Sequence, residues 1–164
     1  MPIPANVDLP PGFAMRPAEK TDRDAIRRLV SNARLNPSGL DWRRFVVIND
    51  PSRKVAACGQ VKPHRDGSRE LASLVVEPRQ RGQGLGAAVV LALMAEHDAP
   101  LYLMCRSTLV GYYERFGFRE LTPEMEQPPY FKRVRRLFGT LVDWAVSDGS
   151  YLAVMVWSGG APAV

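Results

Sequence analysis

Leu71-Ala72-Ser73-Leu74-Val75-Val76-Glu77-Pro78-Arg79-Gln80-Arg81-Gly82-Gln83-Gly84-Leu85-Gly86-Ala87 decides how this chain reads. It begins as an apolar run of strand length, passes through a turn with glycine at every second position, and opens into the apolar stretch Ala88 to Ala95. Glycine accepts left-handed backbone and lets a ligand approach closely, so several N–H groups converge in such a turn. A helix starting there adds the positive end of its dipole. Strand, turn and helix together make an anion cradle, and a phosphate-bearing ligand is the expectation.

Outward from this stretch the chain alternates between sheet and helix. Downstream, Gly86 to Glu96 suits a helix buried between layers, Pro100 ends it, and Leu101 to Cys105 is a second central strand. A helical crossover makes that strand parallel to Glu70–Val76. Leu109 to Arg115 is helical in pattern, and Phe118 to Leu121 returns to the sheet. Tyr130, Val134, Leu137, Phe138, Leu141 and Ala145 fall on one face of a further helix, with Lys132, Arg133, Arg135 and Arg136 on its polar side, before the last strand Tyr151 to Trp157. Upstream, Phe13 to Arg16 is a short strand, and Thr21 with Asp24 resembles a capping box ahead of the apolar face Ile26, Leu29, Val30 and Ala33. Leu40 to Arg43 is a helical turn, and Arg44–Asn49 pairs with Lys54–Val61 around Asp50-Pro51-Ser52-Arg53.

This order predicts an α/β fold with a mixed, mostly antiparallel central sheet, helices on both faces, and two parallel central strands that splay. At 164 residues one domain is expected over 13–157, with a flexible arm at 1–12 and a flexible tail at 158–164. Cys58 and Cys105 lie inside apolar runs and read as buried free thiols rather than a disulfide scaffold. Met1 to Gly12 has neither the basic head nor the apolar core of a secretory signal, and no stretch reaches bilayer length, so a cytoplasmic protein without a membrane partner is expected. A formal charge of +5 favours anionic partners without naming them.

Gly82-x-Gly84-x-x-Ala87 also fits a dinucleotide-binding fingerprint. Against that reading, Glu77 to Arg81 separate the glycines from the strand, and Arg106 follows the next strand where an acidic residue is needed. Taken with Tyr113-Glu114-Arg115-Phe116-Gly117-Phe118, the series Val76-x-Pro78-x-x-Arg81-Gly82-x-Gly84-x-Gly86 resembles the GNAT superfamily of acetyl-CoA-dependent N-acetyltransferases. The resemblance runs from Phe13 to about Leu121. It implies that Arg81, Gly82, Gln83, Gly84, Leu85, Gly86 and Ala87 hold the coenzyme A pyrophosphate, and that Leu74, Val75 and Val76 bind the pantetheine arm as a neighbouring strand would. Glu70-Leu71-Ala72-x-Leu74 and the proline-containing segment after Phe118 also look like the acetyltransferase domain of N-acetylglutamate synthases.

The implied chemistry is attack of a neutral amine on the thioester of acetyl-CoA, which needs one group to take the ammonium proton and another to protonate the departing thiolate. Tyr113 matches the family's acid. Glu70, at the start of the cofactor strand, is the first choice of base, with His64, at the end of the strand in Lys62-Pro63-His64, and ordered water as the alternatives. His64, Trp42 and Arg106 are assigned to the acceptor side, with Trp42 in the segment that corresponds to the family's acceptor lid. Arg106 and Leu109 stand where the family often has Asn and Ala. Arg106, Lys62, Arg43 and Arg44 favour an acceptor bearing a carboxylate, such as an amino acid. The partner is then a small-molecule amine, with no metal, no specific nucleic acid and a homodimer as one possible state. Two other readings stay open: a CoA- or nucleotide-binding regulatory module without turnover, and a basic protein using the Tyr130–Ala145 helix on nucleic acid or lipid.

Overall fold

A computed structural model describes residues 8–145 and 149–160. The elements are β1 (Ala14–Pro17), α1 (Arg23–Asn32), β2 (Phe45–Asn49), β3 (Val55–Pro63), β4 (Arg69–Val76), α2 (Leu85–Glu96), β5 (Leu101–Arg106), α3 (Val110–Glu114), β6 (Arg119–Leu121), α4 (Pro129–Ala145) and β7 (Leu152–Trp157). The strand order is β1-β2-β3-β4-β5-β7-β6. The expected parallel pairing of β4 with β5 is present at Glu70↔Tyr102, whereas β1–β2, β2–β3, β5–β7 and β6–β7 are antiparallel. This is the mixed, mostly antiparallel α/β architecture that the sequence predicts. By contact the chain divides into two compact units, one running to Lys62 and resuming over Leu71–His97, the other made of Pro63–Glu70 and the residues from Asp98 on. Residues 1–7 of the expected arm, 161–164 of the expected tail, and the side chains of Phe138, Leu141 and Ala145 lie outside the described residues.

In the first unit, Phe45 to Ile48 of β2 are all buried, as in a strand covered on both faces. The pleat separates the two coverings. Phe45 and Val47 join Cys58, Val75 and the α1 residues Ile26, Leu29 and Val30 in one cluster. Gly59, next to Cys58 and so on the opposite face, lies against α2, where an added Cβ would stand 2.7 Å from Val89 Cγ1. The start of α1 differs from expectation. A 3-10 turn over Lys20–Asp22 precedes it, and the capping box pairs Glu19 with Asp22 instead of Thr21 with Asp24. Asp22 prevails because its buried carboxylate accepts both the Glu19 N–H at 2.7 Å and the Arg16 guanidinium at 2.7 and 2.9 Å.

In the second unit, β7 runs between β5 and β6, with Leu101↔Trp157 and Arg106↔Leu152 marking the ends of one ladder. Helix α4 docks through Phe131, fully buried with Leu121, Val154 and Val156. This corrects the expected helix face: Leu137 is 53% exposed. One residue is about 100° of helix rotation, so moving the anchor from Tyr130 to Phe131 turns Leu137 outward. Arg135, read as part of the polar face, donates to the Leu121 carbonyl at 2.6 Å. Each unit carries one buried cysteine, and burial pushes the thiols of both Cys58 and Cys105 up to about 12.

Candidate functional site

The glycine turn is built in the first unit from the end of β4 onward. Glu77 anchors it by donating its N–H to the Ala56 carbonyl at 2.8 Å, and its carboxylate accepts the Arg79 N–H at 2.8 Å over a 3-10 turn begun by Pro78. Arg81 Nε reaches back to the Val76 carbonyl at 3.4 Å. Gly82 and Gly84 then take φ of +80° and +79°, conformations that side chains rarely adopt, and a Cβ on either would meet nothing within 4 Å. Gly84 is the N-cap of α2, and no side chain caps that end. The helix ladder starts with Ala88 N–H donating to Gly84 O at 3.0 Å, which leaves the N–H groups of Leu85, Gly86 and Ala87 outside it. Leu85 is buried and fixes the helix, while Arg81 to Gly84 are exposed. The arrangement presents converging donors, open space and the guanidinium groups of Arg79 and Arg81 to an anion.

Leu74, Val75 and Val76 follow directly on a residue that sequence reasoning passed over. Ser73 has φ +55° in mid-strand. Such a conformation costs about 1–3 kcal/mol and persists only where its surroundings hold it. Here Gln60 Nε2 donates to Ser73 Oγ at 3.0 Å, and Cys58 Sγ lies 3.8 Å from the Ser73 carbonyl. Gln60 is fully buried, also approaches the Gly39 carbonyl at 3.4 Å, and its own Oε1 has no partner. Nearby Lys62 Nζ donates to the Ser38 carbonyl at 3.0 Å, so two β3 side chains tie the Asn36–Arg43 segment to the sheet. Trp42, in the same unit, is half-buried against the α1 cluster with the Arg43 guanidinium 4.9 Å from its ring centroid.

The second unit brings together the two side chains that the sequence offers as the base, Glu70 first and His64 second. His64 Nε2 and Glu70 Oε2 are 2.8 Å apart, with side chains only 10% and 8% exposed. Tyr130, from the first turn of α4, stacks on the imidazole at 3.5 Å between centroids and 17° between planes, and Phe131 meets its edge. Asp66 closes the arrangement: it accepts the Tyr130 N–H at 2.8 Å, while its other oxygen accepts the Ser68 hydroxyl at 2.6 Å. That hydroxyl, more than any other group, holds the Asp66 carboxyl below the usual carboxylate range. Burial first, then the charges of Glu70 and Asp66, raises the Tyr130 phenol. Asp66 and Tyr130 are 64 positions apart, so no spacing in the sequence signals their meeting.

Tyr113 is buried on α3, its ring edge-on to Tyr112 and Phe118. Burial raises its phenol well above the ordinary tyrosine value, so the hydroxyl stays a proton donor at neutral pH. Tyr112 turns toward Phe116 and Arg115 instead. Arg106 is exposed at the end of β5. Among the described residues no group of three or more His, Cys, Asp or Glu is placed to hold a metal, and no helix is long and apolar enough to cross a membrane.

Comparison with known proteins agrees with this geometry. Residues 41–120 match the family model described as an acetyltransferase (GNAT) domain. Rv2747 from Mycobacterium tuberculosis, crystallised with CoA and a second ligand, superposes with a TM-score of 0.65 at 21% identity, over 90% of this chain and 99% of that one. N-acetylglutamate synthase from Neisseria gonorrhoeae, complexed with coenzyme A and N-acetyl-glutamate, gives 0.67 at 17% identity, and the match covers 90% of this chain but 35% of that larger one. Glucosamine-6-phosphate N-acetyltransferase from Arabidopsis thaliana gives 0.54 at 21% identity, over 70% of this chain and 97% of that one. The matched model spans β2 to β6, and over that span the chain is similar to the GNAT acetyltransferases.

Proposed function

We propose that the protein transfers an acetyl group from acetyl-CoA to the primary amine of a small molecule, an amino acid being the preferred class. The observation that carries this reading is the open, uncapped glycine turn at the head of α2, with Gly82 and Gly84 at positive φ and nothing standing above them. In it Arg81 to Ala87 hold the pyrophosphate, and Leu74 to Val76 bond to the pantetheine. Acetyl-CoA supplies the activated carbonyl. Tyr113 donates the proton that the departing thiolate needs, and the pair formed by Glu70 and His64 receives the proton that the acceptor's ammonium must lose. Trp42 and Arg106 serve the acceptor, and the cationic Arg106 suits its carboxylate.

Two of the similar structures described above were solved with CoA, one of those also with N-acetyl-glutamate, and these support the donor and the acceptor class. Of the cations expected on the acceptor side, Lys62 is engaged by the Ser38 carbonyl, while Arg43 and Arg44 lean on Asp41 at 3.3 and 3.9 Å. Arg106 therefore carries most of the expected preference for a carboxylate.

Thiol release from acetyl-CoA, measured against amino acids, polyamines, aminoglycosides and peptide N-termini, tests the proposal. Release with an amino acid and not with a polyamine is the expected result. Tight CoA binding without release for any acceptor points to a non-catalytic CoA-binding module instead.

A further inference from the structure

We propose that His64 is the group that takes the ammonium proton, with Glu70 holding the imidazole in the tautomer that makes this possible. The inference rests on the acetyl-transfer reading and divides the roles within its proton-accepting pair. Its basis is the contact between His64 Nε2 and Glu70 Oε2 at 2.8 Å in a nearly closed setting. A buried carboxylate is stable only when hydrogen-bonded, and the imidazole N–H is the partner given to Glu70. With Nε2–H donating to that oxygen, the remaining lone pair of the ring is on Nδ1. The His64 side chain keeps 10% of its surface exposed, and Nδ1 is the ring nitrogen left to meet an acceptor.

The assignment between the two residues follows from the direction of the hydrogen bond. A carboxylate that accepts a hydrogen bond is stabilised in its charged form and becomes a weaker base, whereas an imidazole beside a carboxylate becomes a stronger one. Among the described residues, three titratable groups face the ring. Glu70 comes from β4, Asp66 from the turn that His64 begins, and Tyr130 from α4. Tyr130 is held neutral and contributes its ring face, which keeps the imidazole from rotating away from Glu70. Tyr130 is itself fixed through its backbone N–H to Asp66, so the stack is braced from two elements.

The proton account closes. The ammonium N–H proton passes to Nδ1 of His64 and leaves from there to water. The freed nitrogen lone pair forms the C–N bond at the thioester carbonyl as the C–S bond breaks, with the electron pair going to sulfur. Tyr113 protonates the thiolate and regains a proton from the nitrogen as it becomes an amide. Per turnover one proton is released, by way of His64.

The test is the pH dependence of thiol release for the wild type, His64→Gln and Glu70→Gln, together with ¹⁵N NMR of the imidazole nitrogens, since the chain has only two histidines. The expected wild-type profile has an acidic limb. His64→Gln removes that limb and lowers the rate about 10²- to 10³-fold. Glu70→Gln keeps the limb and lowers the rate less than His64→Gln does. In the spectrum, Nε2 of His64 carries the proton, and Glu70→Gln abolishes this preference. A limb that survives in His64→Gln and vanishes in Glu70→Gln overturns the proposal, leaving Glu70 as the base and acetyl transfer intact, and an Nδ1–H tautomer overturns it equally. Absence of thiol release at every pH, with the expected tautomer present, sinks the acetyl-transfer reading and the role of His64 with it.

Discussion

The hydroxyl of Tyr113 sits in a buried setting that keeps it protonated, in keeping with the proton-donor role proposed for it. Tyr113→Phe retains the ring that packs beside Tyr112 and Phe118, so it is expected to leave acetyl-CoA affinity within about twofold while thiol release falls about 10²-fold or more. Titration calorimetry alongside a steady-state rate checks both halves, and equal loss of affinity and rate would assign Tyr113 a purely structural role. At this scale the sequence was legible where a residue belongs to a local motif. Tyr113 and the glycines of the turn are local in that sense. The partnership of His64 with Tyr130 is not, because it depends on where α4 docks. Nor is the positive φ of Ser73, which Gln60 supports from a neighbouring strand.

At the scale of elements, the head of α2 invites a simple substitution. Gly84→Ala adds a methyl group into open space but in a left-handed backbone, so it should cost stability about 1–2 kcal/mol and weaken CoA binding at least tenfold. Urea unfolding and calorimetry separate the two effects. Unchanged CoA affinity would take the phosphate away from this turn. The start of α1 gives a prediction of a different kind. Arg16 above all, then the Glu19 N–H, lowers the Asp22 carboxyl below its ordinary value against the opposing effect of burial. A depressed carboxylate contributes stability above its unfolded value, near pH 4, and that contribution disappears as pH falls through the folded one. Asp22→Asn should therefore cost about 1.5–3 kcal/mol at pH 7 and progressively less as pH falls below 4, read from urea midpoints across that range. The type and order of the elements followed from apolar periodicity and from glycine and proline. Their caps and faces did not, because Asp22 is recruited by Arg16 of β1 and the α4 face is chosen by the cluster that receives Phe131.

For the molecule as a whole, the formal charge of +5 and the exposed Arg79 and Arg81 beside the turn make CoA affinity sensitive to ionic strength. Raising salt from about 0.05 to 0.5 M should weaken CoA several-fold and alter Tm much less, a contrast that calorimetry and thermal melts can measure. The two compact units were not legible in the sequence, where the hydrophobic pattern runs on without a linker, and Pro63 to Glu70 joins the second unit while flanked on both sides by the first. That division gives the buried thiols a use. Cys58 lies in one unit and Cys105 in the other, and burial pushes each up to about 12, so the folded chain is nearly silent toward thiol reagents. The protein thus carries a clock in each half. Labelling rates of Cys58→Ala and Cys105→Ala report the opening free energy of one unit at a time, and equal rates would mean that the two halves open together.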